Sequence, residues 1–179
     1  DSLTISNGWL RFPSSGGVLT VTNGVLLTGG ATLDLGGNAI RKIPGIPAIP
    51  YLVANHLYSA PSSHSMRVGG DLILTNGASL RLFGAATNGS QASGIRVSVT
   101  GNLHLAFGCT NLFVSHWTNG GSPLVEMNNG FIATGAVVNA NQCGFGGGFQ
   151  FGPGGYGPGA PGRTDTNQVT GSGAGYGGW

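Results

Sequence analysis

The acidic side chains of this sequence are few, and their positions decide whether the chain could cleave a sugar bond. The five are Asp1, Asp34, Asp71, Glu126 and Asp165. A glycosidase needs two carboxylates that face one glycosidic bond. Asp34 alternates with Leu33 and Leu35 and is predicted to point outward, as is Asp71. The repeats described below place Arg96 opposite Asp71 on the neighbouring coil, which predicts an exposed ion pair of about 0–1 kcal/mol rather than a catalytic pair.

Basic side chains suggest a second chemistry, that of polysaccharide lyases, which pair a basic residue with Ca²⁺-binding acids. Arg81, Arg96 and His104 could line one outward face of a coiled β-structure. However, Ca²⁺ takes about six to eight oxygen ligands, several of them from carboxylates, and the sequence contains no cluster of acids. We therefore expect no catalytic residue and no cofactor.

Side chains of the type that bind zinc occur at irregular intervals, at His104, Cys109, His116 and Cys143. Their spacing matches no zinc-ribbon pattern, and we expect no bound metal. Cys109 and Cys143 fit either one disulfide or two buried thiols.

Aromatic side chains are the candidates for contact with a ligand or a partner protein: Trp9, Tyr58, Trp117, Tyr156, Tyr176 and Trp179. The first three could stack on a sugar, since aromatic rings offer a flat apolar face. Aromatic residues in repeat proteins more often pack or cap the repeats, so we weigh a structural role for them as well.

A short motif recurs along the chain: two alternating apolar residues, a polar residue and a turn. Its copies are "LTISNG" (3–8), "LTVTNG" (19–24), "LILTNG" (72–77), "VSVTGN" (97–102) and "VEMNNG" (125–130). The steps between them are 16, 53, 25 and 28 residues. We interpret the step of 53 residues as two steps of about 26 residues each. The step of 16 residues would lead to a second strand of the same coil, or it would mark a short terminal turn.

The motif predicts strands joined by tight corners. Period-2 alternation marks half-buried strands, and an Asn-Gly pair supplies the positive φ that a tight corner needs. The predicted turn pairs are Asn7–Gly8, Asn23–Gly24, Asn76–Gly77 and Asn129–Gly130. No stretch has a sustained helical period, so we expect an all-β chain with almost no helix.

Two architectures remain open for such strands. Asn-Gly is also a strong hairpin signal, which would give an antiparallel β-sandwich. A parallel β-solenoid, whose coils stack about 4.8 Å apart, agrees better with a repeat of roughly 25 residues, because that length forms one coil of three short strands. The unit also keeps the same order of residues each time. We therefore predict a parallel β-solenoid.

Composition changes divide the chain into regions. Residues 1–143 are predicted to form the β-solenoid, and the proline-rich residues 36–65 to leave it as a loop excursion, because proline cannot donate to a β-ladder. Residues 144–179 combine glycine with aromatic residues and should pack on the solenoid or on a neighbour. This stretch runs directly to Trp179, and the chain starts at Asp1 without a leader, which suggests a piece of a longer polypeptide.

Low charge limits the partners. Only 7% of the residues are charged and the formal net charge is +2, and without a basic cluster we expect no nucleic-acid partner. No apolar run reaches the roughly 18 residues of a membrane span. A single lysine, Lys42, and abundant Asn and Thr are typical of an extracellular or cell-surface protein.

The later half of the sequence resembles glycine-rich parallel β-helix regions of large bacterial surface, autotransporter-like and adhesin-like proteins. The segments that carry the resemblance are "VTGNLHLAFG", "GFIATGAVVNANQCGFGGG", "GPGGYGPGAPG" and "GSGAGYGG". The resemblance implies a right-handed parallel β-helix displayed outside the cell as a stalk, adhesin or sheath component.

Together these observations favour a structural, non-enzymatic extracellular module. It would self-associate into a fibre, sheath or stalk through the edges of its β-solenoid and its glycine-rich segment. The alternative is a β-helix that binds carbohydrate or cleaves it as a polysaccharide lyase does.

Overall fold

Short β-strands make up all the regular structure in the part of the chain that the structure, a computed structural model, describes: residues 1–12, 17–36, 64–84, 95–115 and 121–140. The strands are β1 (Leu3–Ser6), β2 (Trp9–Phe12), β3 (Val18–Val21), β4 (Val25–Thr28), β5 (Thr32–Gly36), β6 (His64–Val68), β7 (Leu72–Leu74), β8 (Ser79–Phe83), β9 (Ile95–Val99), β10 (Leu103–Leu105), β11 (Thr110–Val114), β12 (Pro123–Glu126), β13 (Gly130–Ile132) and β14 (Val137–Asn139). These residues contain no helix.

Successive strands pass through three sheets in rotation. The first sheet has the order β1-β4-β7-β10-β13, the second β2-β5-β8-β11-β14 and the third β3-β6-β9-β12. Three consecutive strands therefore make one coil: coil 1 is β1–β3, coil 2 is β4–β6, coil 3 is β7–β9, coil 4 is β10–β12, and β13 and β14 begin coil 5. Every pairing among the described strands is parallel. The prediction of stacked parallel strands is confirmed, and the antiparallel sandwich is excluded for this region.

The core lies between the three sheets and consists of apolar columns that run along the coil axis. In the first sheet, Leu27, Leu74 and Leu105 lie one above another in register, and each is 0–1% exposed. Leu33 and Leu80 continue the same pattern in the second sheet. Complete burial of one leucine side chain contributes about 1.5–3 kcal/mol, so these columns are the main source of stability.

The strand order corrects the alignment of the repeats. The motifs at 3 and 72 belong to strands of the first sheet, whereas those at 19, 97 and 125 belong to the third. The step of 16 residues therefore connects two strands of one coil, which is one of the two interpretations given above. Interpreting the step of 53 as two coils was wrong, because β3 pairs directly with β6, and the motif at 72 lies in the next described strand, β7.

The corner between the first and second sheets, called here the first corner, is a four-residue turn that recurs at 28–31, 75–78, 106–109 and 133–136. In each copy the N–H of the fourth residue donates to the C=O of the first. The third residue is always a glycine, Gly30, Gly77, Gly108 or Gly135, with φ between 73° and 80°. Side chains rarely adopt this φ. The turn therefore depends on these glycines.

Only part of the predicted turn set belongs to that corner. Asn76 and Gly77 both have positive φ, and Asn7 has a φ of 54°. The expectation of positive φ fails at Asn23–Gly24 and Asn129–Gly130. These two pairs lie between the third and first sheets, called here the third corner, where the chain turns with ordinary φ.

At the third corner the backbones of neighbouring coils come close together. A Cβ on Gly69 would overlap the carbonyl oxygen of Thr22 in the coil below, and a Cβ on Gly101 would overlap the carboxylate of Asp71. Glycine is required here by the lack of space rather than by φ. Residues 37–63, which include most of the proline-rich excursion, and residues 141–179, which include the whole glycine-rich segment, lie outside the described residues. Those two assignments therefore stay predictions.

Candidate functional site

The third corner fixes Asp71 in a ladder of polar side chains. One carboxylate oxygen of Asp71 accepts from the backbone N–H of Asn102 at 2.7 Å and from its side-chain amide at 3.2 Å. The amide of Asn129 in turn donates to Asn102 Oδ1 at 2.9 Å. The other carboxylate oxygen lies 3.9 Å from His104 Nε2. Asp71 is therefore a partner of Asn102 and His104, and the predicted pair with Arg96 does not form.

Arg96 instead pairs with Glu126 on the outer face of the third sheet. Its Nε donates to Oε2 at 2.5 Å and its terminal nitrogen to Oε1 at 3.0 Å. The hydrogen bond and the opposite charge raise the pKa of Arg96. The hydrogen bond from Arg96 is the main reason why the pKa of Glu126 lies below its usual value. The side chains are 58% and 43% exposed, so solvent screens this pair and its contribution to stability is small.

The basic side chains do not share a face. Arg81 belongs to the second sheet, Arg96 to the third and His104 to the first, so the expectation of one common outward face was wrong. The cause is the mixed repeat alignment, which superposed strands of different sheets. Within the described ranges, no three His, Cys, Asp or Glu side chains come together as metal ligands. Two of the four zinc-type residues, His116 and Cys143, lie outside these ranges.

Cys109 occupies the fourth position of the first corner. The equivalent residues in the other coils are Ala31, Ala78 and Ala136, so the position accepts a small side chain pointing into the core. Cys109 is 0% exposed, and its thiol fills this position as a small apolar group would. Cys143 lies outside the described residues, so the predicted choice between a disulfide and two thiols stays open.

Asp34 lies on the outer face of the second sheet, on the side that the alternation predicts, yet it is only 1% exposed. Arg11 and Arg81, directly below and above it in register, hold its carboxylate at 3.4 and 3.9 Å. A buried carboxylate is stabilised by such flanking cations. Asp34 therefore joins coils 1, 2 and 3 through a stack of alternating charge.

Among the six aromatic candidates, only Trp9 belongs to the described residues. Its indole is 57% exposed, and the guanidinium of Arg11 lies 4.4 Å above the ring centroid. Tyr58, Trp117, Tyr156, Tyr176 and Trp179 lie outside those residues, and their roles stay predictions.

The outer face of the first sheet carries a shallow groove of about 330 Å³. Leu26 and Ile73 form its floor, and Asp71 and Thr4 are among its lining residues. Further along the same face, the rings of His104 and Phe131 stack with their centroids 4.8 Å apart. The groove offers an apolar floor with a carboxylate and hydroxyls beside it.

The two ends of the stack are the most apolar exposed surfaces of the described chain. The upper edge is defined as β12, β13 and β14, and the lower edge as β1, β2 and β3; these are the terminal strands of the three sheets. On the upper edge Ile132 and Val138 are 57% and 49% exposed. They continue columns that are buried in the coils below: Ile132 follows Leu105, and Val138 follows the buried Asn111 and then Leu80.

Sequence reasoning did not find these edge residues. The exposed set on the two edges comprises Trp9, Val18, Leu124, Phe131, Ile132, Val137 and Val138, and only Trp9 had been proposed for contact. In the sequence they look like ordinary core positions. The signal that could have found them is their place at the first and last copies of the repeat.

Comparison with known proteins gives no relative: no protein-family model, no curated protein and no solved structure matches the chain. Among the described residues, no helix is long and apolar enough to cross a lipid bilayer.

Proposed function

We propose that this chain is a structural, non-enzymatic module of an extracellular assembly, and that the upper edge is the surface through which it joins a further β-coil. Such joining would extend the stack into a fibre, sheath or stalk. We further propose that the coil is right-handed, because crossovers between parallel strands are right-handed in about 98% of cases.

The observation that carries this proposal is the interruption of the core columns at the upper edge. Leu74 and Leu105 are buried because a strand lies above each of them, whereas Ile132, next in the same column, is 57% exposed. Another coil would bury Ile132 and Val138 as the described coils bury their equivalents. At about 25 cal/mol per Å² of apolar area, that burial favours association.

The backbone supports the same conclusion. The lower side of each upper-edge strand is bonded to coil 4 or coil 3, but no described strand pairs with the other side. Exposed strand edges recruit further strands unless they are blocked by charge, proline or a bulge. In β13 and β14 none of these blocking residues occurs.

The proposal is tested by the size of the protein as isolated. We expect sedimentation and negative-stain microscopy to show oligomers or filaments that grow with concentration. A double variant, Ile132→Asp with Val138→Asp, should remain monomeric, since it places charge at the end of two apolar columns. The matched control is Arg67→Asp, an exposed position on coil 2, which should assemble as the unmodified chain does. Monomers of the unmodified chain at millimolar concentration would contradict the proposal.

A second function is favoured by one specific feature, the groove on the first sheet. Its apolar floor at Leu26 and Ile73, with Asp71 beside it, suits a sugar, which has apolar C–H faces and hydroxyl donors. Glycan-array binding that Asp71→Asn abolishes would support carbohydrate recognition. Release of unsaturated sugar from pectin or alginate would extend it to a lyase.

A further inference from the structure

Resting on the proposed function, we infer that the coil joined to the upper edge is the lower edge of a second copy of this chain, stacked head to tail in the register that already relates its coils. In this arrangement β1 of one copy pairs with β13 of the next, and β2 pairs with β14. Because β12 belongs to coil 4 whereas β13 and β14 belong to coil 5, β3 lies two coils above β12 and does not pair with it. The parallel hydrogen-bonding pattern continues across the junction.

One column of outward-facing residues provides the first argument, because its chemistry changes only at its two ends. In the second sheet one outer column reads Trp9, Thr32, Ser79, Thr110 and Val137 in register. The three middle residues carry hydroxyls, whereas both terminal residues are large, apolar and exposed.

The third sheet repeats this change in an independent column. It reads Val18, Ser65, Arg96 and Leu124 in register. The middle residues are again polar or charged, and the terminal Val18 and Leu124 are apolar and exposed. Head-to-tail stacking places Val137 beside Trp9, whereas Leu124 and Val18 lie in the same column two coils apart. Val137 and Trp9 then each have an apolar neighbour from the other copy, and Phe131 lies beside Thr4.

The exposed apolar side chains of the described chain are concentrated on these two edges. Of the eight large hydrophobic side chains exposed there, seven lie on the two edges, and the eighth, Phe107, lies at the first corner. A contact between two upper edges would cover Val137 but would leave Trp9 exposed. A junction between unlike edges covers both residues in one interface, and such heterologous contacts produce open chains.

The interior columns are compatible with the same register. Ile132 would meet Ile5, and Val138 would meet Leu10, as their equivalents meet inside the chain. Gly130 would lie opposite Leu3 and leaves room for it, since the only heavy atom near a Cβ at this glycine is Met127 Sδ, at 3.4 Å.

Charge does not oppose the junction. The six edge strands contain two charged residues, Arg11 and Glu126. Arg11 is bound to Asp34 at 3.4 Å, and Glu126 is bound to Arg96. Each charge is therefore already neutralised within its own chain, as is typical of the apolar centre of a protein–protein interface.

The first experiment uses variants blocked at one edge. Val137→Asp with Phe131→Asp blocks the upper edge, and Trp9→Asp with Thr4→Asp blocks the lower edge. All four positions are exposed, so circular dichroism should show an unchanged fold. We expect each variant alone to be monomeric in analytical ultracentrifugation, and an equimolar mixture to form 1:1 dimers that do not grow further.

Other results of this experiment overturn the inference in distinguishable ways. If the unmodified chain is monomeric at every concentration, the proposed function fails together with the inference. If the unmodified chain assembles but the mixture stays monomeric, or if the lower-blocked variant dimerises alone through two upper edges, only the head-to-tail inference fails.

The second experiment tests the register by disulfide cross-linking in a Cys109→Ala, Cys143→Ser background. Val137→Cys with Trp9→Cys places the thiols in one column, where neighbouring strands about 4.8 Å apart suit disulfide geometry. We expect a ladder of oligomers on a non-reducing gel after oxidation. The matched control, Val137→Cys with Val18→Cys, joins different sheets and should give no ladder. Equal cross-linking of both pairs would rule out the proposed register.

Discussion

The inward-facing side chains follow the same apolar alternation in the middle coils and in the edge strands. Only the middle coils, however, have a paired strand on both sides. Leu74 and Leu80 are fully buried, whereas their counterparts Ile132 and Val138 are about half exposed. The two outer columns that start at Trp9 and Val18 differ in the opposite sense, because they are polar in the middle coils and apolar at both edges. The difference shows that an apolar residue of a middle coil is buried inside the stack, whereas its counterpart at an edge is exposed.

The largest expected effect comes from placing a charge in each of the two regions. Leu74→Asp introduces an unpaired carboxylate into a closed column and should cost at least about 4 kcal/mol of unfolding free energy. Ile132→Asp leaves the carboxylate in water and should cost about 1 kcal/mol or less. Urea unfolding of dilute protein, followed by circular dichroism, measures both.

Leu74→Met and Ile132→Met serve as controls, since both preserve volume and should each change the unfolding free energy by less than about 1.5 kcal/mol. Similar losses for the two aspartate variants would mean that the upper edge is as closed as the middle of the stack.

A second comparison uses glycine in the same two regions. Gly69→Ala pushes a methyl group against the carbonyl oxygen of Thr22 and should cost about 2 kcal/mol or more, because the neighbouring backbone must move. Gly130→Ala on the upper edge meets only Met127 Sδ, at 3.4 Å, and should change stability by at most about 1 kcal/mol. Thermal unfolding of the two variants gives the ranking, and the reverse order would refute the close approach of coils at the third corner.

A third comparison concerns the small residue of the first corner. Cys109→Leu overpacks a closed position and should cost about 1–3 kcal/mol, whereas Ala136→Leu, where no described strand lies above, should cost less. Denaturant unfolding under reducing conditions measures both. Equal costs would show that the corner is filled to the same degree in both coils.

Cys109→Ala is the control for this position and also tests the state of the thiol. Since alanine occupies the equivalent place in the other coils, we expect a loss of about 1 kcal/mol. A loss of about 2–5 kcal/mol that appears only under oxidising conditions would instead indicate a disulfide between Cys109 and Cys143.

The smallest effect is expected at the exposed Arg96–Glu126 pair, which joins coil 3 to the upper edge. Glu126 has a lowered pKa, so its stabilising contribution is present above the usual value of about 4.5 and is lost as the pH falls through the lowered pKa. The difference in thermal midpoint between the unmodified chain and Glu126→Gln should therefore be small at pH 7 and should disappear in acid. It should also shrink in 1 M NaCl (about 3 Å Debye length). A difference that grows in acid would contradict the direction of the shift.

The sequence predicted the all-β class and the parallel stack because period-2 alternation and recurring turns are local features. It did not separate the first corner from the third, since strands that end in Asn-Gly occur at both. The long interval between β5 and β6 hid the true step of the coils. For the same reason Asp71 was matched with Arg96, although Asn102 is its neighbour in register.

The candidate site was harder to predict than the fold. Ile132 and Val138 belong to the same alternating pattern as Leu105 and Leu80, so their sequence context resembles a core position. Their exposure arises from the order of the strands, which is a property of the whole stack. Trp9 was recognised because an aromatic ring is a candidate for contact with a ligand or a partner, whereas the valines of the edges carry no such signal.

The direction of the backbone hydrogen bonds has a mechanical consequence. Strands lie across the axis of the stack, so the bonds between coils lie along it and share any load applied to the two ends of a fibre. Within one chain the peptide backbone also connects each coil to the next, but two copies would be held together by non-covalent bonds alone. Under tension such a fibre would part between subunits before any subunit unravelled, and the released subunits would be intact and able to rejoin.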